Sequence, residues 1–291
     1  MTTLSNGKNS GLVFNFDLDD CLVKSEHSAL TTAHRYYAQD VAPELGLPHP
    51  GNLDRFISEH PGMTFRGIVS ENCRRNGKQI SEDQLARFAA EEKSRIMENF
   101  GREGLDATPG TQAALHYFTQ HDIAHPIVTS SAYDRALVSI EAAKLEQYFE
   151  PDKVFSAQGH TYQGDPKPDP GIYHHAFKHY DPASVFIAEE DSKSGCTAAF
   201  RSGAFVIGNV GALKTVDAQV DRMKLLLDIG ASVVLNNNES LIRLVEHLRG
   251  YQDPYSRDGV EAYLRAGSFL PSFVVSEGRE GRTVWLSRRI Y

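Results

Sequence analysis

The pattern that most constrains this chain begins at about Asp106. From there, short apolar runs alternate with stretches of helical spacing. Strands are expected at 123–129, 154–155, 185–188, 204–207 and 232–235, and helices at 111–120, 134–147, 170–179, 195–201 and 241–249. Pro170 at a helix start is a favourable N-terminal position. Strands that alternate with helices predict a parallel sheet covered on both faces. One further apolar run, Leu12-Val13-Phe14-Asn15-Phe16, comes much earlier and reads as a buried strand. Between that strand and Asp106, strand signals nearly vanish. There Ser81-Glu82-Asp83-Gln84 forms a capping box ahead of Leu85, Phe88, Ala89 and Ile96 at helical spacing.

The expected architecture is therefore α/β. A Rossmann-like core spans 1–22 and 106–249, and a helical cap, 23–105, is inserted after the first strand. A C-terminal extension, 250–291, begins at the helix-breaking Tyr251-Gln252-Asp253-Pro254. It is expected to hold a helix at 258–266 and a hairpin whose arms flank Glu277-Gly278-Arg279-Glu280-Gly281. A length of 291 residues suits two such units.

Composition narrows the function classes. A formal charge of −8 speaks against a polynucleotide partner, which needs clustered cations. No window approaches the ~18 apolar residues of a membrane span, and the polar N-terminus lacks the apolar stretch of a secretory signal. Three widely spaced cysteines, Cys21, Cys73 and Cys196, form no C-x-x-C pair. They argue against a disulfide framework and fit a reducing cytosol. The expected partner is a small molecule, and the chain reads equally as a monomer or a homodimer.

Ligands of open parallel sheets bind beyond the carboxyl ends of the strands. At those ends stand Asp17-Leu18-Asp19, Thr129-Ser130-Ser131 and Glu189-Glu190-Asp191-Ser192, with Asp165-Pro166-Lys167-Pro168-Asp169 in a loop nearby. Converging carboxylates repel one another unless a hard cation lies between them, and Mg²⁺ takes such oxygen ligands. A hydroxyl and a lysine beside that cation make a phosphate site.

These four segments, in this order, resemble the haloacid dehalogenase-like superfamily, in its phosphatase and phosphomutase branch. Phe14-Asn15-Phe16-Asp17-Leu18-Asp19 matches the strand followed by D-x-D, and Ile127-Val128-Thr129 the second motif. Lys167-Pro168-Asp169-Pro170 matches the lysine motif, and Glu190-Asp191-Ser192-Lys193-Ser194-Gly195 the acidic one. The resemblance implies a helical cap of the C1 type, with Asp17 as nucleophile and Asp19 as general acid and base. It implies that Thr129, with Ser130 or Ser131 sharing its role, and Lys167 hold the phosphoryl group. It implies Mg²⁺ bound by Asp17, Asp19, Asp191 and Glu190. Gly62-Met63-Thr64 resembles the cap loop that reaches the active site, so Thr64 and Arg66 are expected to touch substrate. Asp20 stands where many members have glycine.

The implied activity is hydrolysis of a small phosphorylated metabolite. A phosphomutase is the alternative, weakened because Phe65 stands where mutase caps carry arginine. A catalytically idle binding protein is a second alternative, and its mark, a lost motif residue, is absent. Cysteine-phosphatase chemistry fails, since the sixth residues after the cysteines are His27, Gln79 and Ser202. His175/His179 and His121/His125 are spaced for a metal but lack a third ligand, and both read as solvated pairs. Arg279, Arg282, Arg288 and Arg289 read as a solvated face.

Overall fold

The computed structural model describes residues 11–60, 63–159, 162, 164–249 and two short strands at 275–277 and 283–285. Six strands build one parallel sheet: β1 (Leu12–Phe16), β2 (Ile127–Ala132), β3 (Val154–Gln158), β4 (Val185–Glu190), β5 (Phe205–Asn209) and β6 (Val233–Leu235). Their order is β3-β2-β1-β4-β5-β6, so the direction of winding reverses between β1 and β4. All five β1 residues are buried, as a strand covered on both faces requires. Leu12, Phe14 and Phe16 pack on one face with Leu115, Phe118, Ile140 and Leu244. Val128, Phe155, Ile172, Tyr173 and Val206 fill the other.

Between β1 and β2 run α1 (Glu26–Tyr36), a π-helical turn (Tyr37–Val41), α2 (Ala42–Leu45), α3 (Leu53–Glu59), α4 (Phe65–Arg75) and α5 (Glu82–Glu103), followed by α6 (Thr111–Gln120). Helices α1 to α5 close around a separate apolar cluster that includes Tyr37, Phe56, Val69 and Phe88. The capping box at Ser81 forms as expected, with Ser81 Oγ accepting from Gln84 N and Gln84 Oε1 from Ser81 N. Helix α5 packs against α7 (Tyr133–Ala142) of the sheet layer through a further small cluster of Ala29, Ile96 and Phe100.

Several boundaries differ from the expected ones. β2 starts at Ile127 rather than 123, because Pro126 has no N–H and Ala124 meets β1 only through an isolated bridge. It then continues past Thr129 to Ala132, re-pairing with Gln158 across a shift in register. α7 ends at Ala142, ahead of Lys144, whose φ of 57° breaks the helix. α8 (Gly171–Phe177) ends two residues before His179, α9 (Lys193–Arg201) starts two residues earlier than expected, and β4 runs on through Glu190.

Sequence reading passed over α10 (Val216–Ile229) altogether. Its signal was present: Thr215 caps it by accepting from Ala218 N, and Met223, Leu226 and Leu227 bury one face. Charged Asp217, Asp221, Arg222 and Lys224 dilute that pattern.

α11 (Ser240–Arg249) closes the alternation. In the extension, β7 (Val275–Glu277) and β8 (Thr283–Trp285) pair antiparallel, Val275 opposite Trp285, and β8 lies alongside β6. The helix expected at 258–266 lies outside the described residues. Among the described residues, no helix is long and apolar enough to cross a membrane.

Candidate active site

Asp17 is the first residue beyond β1, and its backbone N–H donates to Glu189 O at 3.0 Å. That bond ties the ends of β1 and β4 together at the switch point. The chain then turns sharply: Asp20 N donates to Val23 O at 2.7 Å with Asp20 at φ 57°. This left-handed conformation explains the preference for glycine there. Aspartate is among the few other residues that tolerate it, and here Asp20 Oδ1 also accepts from Glu26 N at 3.1 Å, at the start of α1.

Lys167 reaches the same point from the loop before α8. Its buried Nζ lies 2.6 Å from Asp17 Oδ1, 2.6 Å from Glu190 Oε1 and 2.7 Å from Val128 O. Burial works against its charge, yet the two carboxylates outweigh this and hold it above the ordinary lysine range. Burial likewise raises Asp17, opposed by Lys167, and lifts Glu190 to about 7. Asp191 is pushed well above the usual carboxylate range by burial and by Asp17 and Glu190.

Carboxylate oxygens of Asp17, Glu190 and Asp191 lie within 4.8 Å of one another. Glu190 Oε2 is buried without a hydrogen-bond partner. Three hard oxygen donors that destabilise one another when ionised fit a divalent cation such as Mg²⁺.

The remaining expected residues fall around this point. Thr129 is buried at the cleft floor, its Oγ1 accepting from Ser131 N at 3.0 Å. Ser130 Oγ accepts from Lys167 N at 3.2 Å, pinning the lysine loop to β2. Asp19 is held by Ser25 Oγ on one oxygen and Ser131 Oγ on the other, with Arg135 Nη2 3.4 Å from Oδ1.

Core and cap enclose a cleft of about 590 Å³ that contains Asp17, Asp19, Thr129, Lys167 and Asp191. Thr64 lines it from the cap, where it also caps α4 by accepting from Gly67 N at 3.2 Å. Arg66 does not line it and pairs with Glu82 instead, while the largely buried Phe65 does line it. Gly62 lies outside the described residues.

Four contacts escaped the sequence reading. Tyr173, fully buried on α8, donates its hydroxyl to Glu190 Oε1. Arg222 on α10 donates to Asp191 O at 2.7 Å. Ser25 and Arg135 both reach Asp19. Only Tyr173 had a local cue, as an aromatic on the helix that follows the lysine motif. The histidine pairs pack against rings: His175 and His179 both flank Phe155, and His121 lies on Tyr117.

The family model for haloacid dehalogenase-like hydrolases matches residues 15–209. A Thermotoga maritima protein described as a β-phosphoglucomutase is 27% identical, with a TM-score of 0.57 over 81% of this chain and 99% of that one. A haloacid dehalogenase-like protein of unknown function from Agrobacterium tumefaciens is 24% identical, with a TM-score of 0.61 over 81% and 98%. A Deinococcus radiodurans family hydrolase with bound phosphate and sodium is 20% identical, with a TM-score of 0.58 over 82% and 96%. No curated protein sequence matches the chain.

Proposed function

The chain belongs to the haloacid dehalogenase-like hydrolases, and from that membership we propose that it is a Mg²⁺-dependent phosphatase of small phosphorylated metabolites, working in the cytosol. The Lys167 bridge carries this reading: one ammonium 2.6 Å from both Asp17 and Glu190. It favours the ionised form of a buried carboxylate on the floor of the cleft, which is what a nucleophile toward phosphorus needs.

In this reading Asp17 attacks phosphorus while Asp19 gives its proton to the departing alkoxide. Asp19 then takes a proton from water, the water oxygen bonds to phosphorus, and Asp17 is released together with inorganic phosphate. Thr129, Ser130 and Lys167 hold the phosphoryl oxygens. Asp17, Asp191 and the Asp19 carbonyl would hold Mg²⁺, with Glu190 joining directly or through water. The ion would neutralise charge on the carboxylates and the phosphoryl group, the main need in phosphoryl transfer. Thr64 faces the substrate from the cap.

A mutase reading is favoured by the 27% identity to the Thermotoga protein. The cap weighs against it, because Phe65 lines the cleft with an apolar ring where mutase caps carry arginine, and Arg66 is paired with Glu82 outside the cleft lining. Water is therefore the preferred acceptor.

The test is a screen of phosphorylated metabolites with Mg²⁺, measuring phosphate release, for the wild type and Asp17→Asn. The amide is nearly isosteric but neither attacks phosphorus nor binds the cation well, so turnover should vanish with the fold intact. Residual activity above a few per cent, a barrier rise of only about 2 kcal/mol, would remove Asp17 from its role. A rearranged sugar phosphate without phosphate release would favour the mutase.

A further inference from the structure

The chemistry above makes no use of Arg135. This residue stands in the first turn of α7 on the wall of the cleft. Its side chain is 26% exposed, and among the described residues only its Nη2 has a hydrogen-bond partner, the 3.4 Å contact to Asp19 Oδ1. That oxygen also accepts from Ser25 Oγ, so Asp19 does not depend on Arg135 alone. Arg135 Nε is buried with no hydrogen-bond partner among the described residues. On the far side its guanidinium carbon lies 5.9 Å from the Phe100 ring centre.

The cap side of the cleft is mostly apolar, with Leu30, Phe56, Ile68 and Ile96 among its residues. Among the described residues, Asp19 is the one ion-pair partner of Arg135. Glu92 lines the cleft too, its carboxyl raised by burial and drawn down again by the charge of Arg135, with no hydrogen bond between the two. Lys93 is occupied by Asp134 at 2.7 Å. Glu26 lines the cleft as well, but makes no contact with Arg135. An under-supplied guanidinium in surroundings of low polarity is a strong receptor for a planar or tetrahedral oxyanion, which its fork matches with two parallel hydrogen bonds.

We propose that Arg135 determines specificity by binding a second anionic group, a carboxylate or a further phosphate, on the part of the substrate that leaves. The proposal rests on the phosphomonoester reading of the site. It names the substrate class as doubly anionic phosphomonoesters, in which the second acid sits within reach of α7.

The test compares wild type, Arg135→Gln and Arg135→Lys on three substrates of similar size: 3-phosphoglycerate, propane-1,3-diol bisphosphate and glycerol 3-phosphate. The wild type is expected to favour one of the two doubly charged esters over glycerol 3-phosphate, and which one identifies the second acid. Losing a charge-assisted pair should reduce that preference by roughly 10- to 100-fold in Arg135→Gln, mainly through KM, with part restored in Arg135→Lys.

Calorimetric binding of the same compounds to Asp17→Asn, with and without Arg135→Gln, reads the subsite independently of turnover. A binding preference that disappears with Arg135 supports the proposal even if no ester is hydrolysed, an outcome that would sink only the phosphatase reading. No preference in the wild type or in Asp17→Asn would overturn it. So would an equal loss of kcat on all three substrates, which would make Arg135 a positioning residue for Asp19.

Discussion

At the scale of single residues, the site is a balance among buried charges. In the proposed mechanism Asp19 supplies the proton that the alkoxide needs, and its two oxygens are held by Ser25 and Ser131. Asp19→Asn should slow hydrolysis of alkyl phosphates far more than that of p-nitrophenyl phosphate, because p-nitrophenolate departs without a proton. Equal losses on both would count against the acid role. On β4, Glu189 is buried, with Oε1 accepting from Asn209 at 3.0 Å and Oε2 without a hydrogen-bond partner among the described residues. Burial lifts its carboxyl from 4.5 to about 8. Between those two values the native protein holds a proton that the unfolded chain has lost. Stability should therefore fall as pH rises from about 4.5 to about 8, and stay reduced above that. Glu189→Gln, which cannot ionise, should show a flatter decline in melting temperature over this window in metal-free buffer. A slope identical to that of the wild type would contradict the assignment.

At the scale of elements, the site depends on where strands stop and helices start. Ser192 caps α9 by accepting from Gly195 N at 3.1 Å, which turns the chain directly beyond Asp191. Gly195 is required there by contact rather than by conformation, since a Cβ at that position would overlap the Glu190 carboxylate. Gly195→Ala should cost about 1–3 kcal/mol of stability through overpacking and raise the Mg²⁺ concentration needed for turnover. Urea unfolding and a Mg²⁺ titration measure the two effects. In the cap, Ser81→Ala removes the capping box of α5 and should cost about 1 kcal/mol while leaving kcat in place. A loss of activity without a loss of stability would mean that α5 influences the cleft by another route.

At the scale of the whole molecule, a small apolar cluster of Ala29, Ile96 and Phe100 packs against Val138 and Ala142 where α5 meets α7, and the cleft opens between core and cap. Beyond α11 the chain still carries Tyr251, Tyr255, Tyr263, Phe269, Phe273, Trp285 and Tyr291. Each aromatic that finds cover favours docking by a few kcal/mol at ~25 cal/mol per Å². β8 lies alongside β6, which ends the six-strand order, and an uncovered sheet edge invites pairing with other chains. Truncation after Gly250 should therefore lower the melting temperature or change the solution mass, with the chemical residues left in place. An unchanged melting temperature, mass and substrate profile would show the extension to be dispensable.

The alternation of strands and helices in a parallel sheet, and the places of Asp17, Thr129, Glu190 and Asp191, were legible in the chain because they rest on local order, an apolar run followed by polar residues. Lys167, by contrast, was marked only by its proline-flanked motif and the resemblance to the family. The bounds of β2 and α7 were less legible, since Pro126 and the left-handed Lys144 act through backbone geometry rather than hydropathy. α10 was hidden by charges spread along its exposed faces. Tertiary structure alone decided that Tyr173 donates to Glu190, that Arg222 holds the Asp191 loop, that Arg66 turns to Glu82, and that Arg135 faces the cleft. Each of these depends on the direction of a side chain across a gap between elements distant in sequence. That direction is set by packing, which periodicity does not encode.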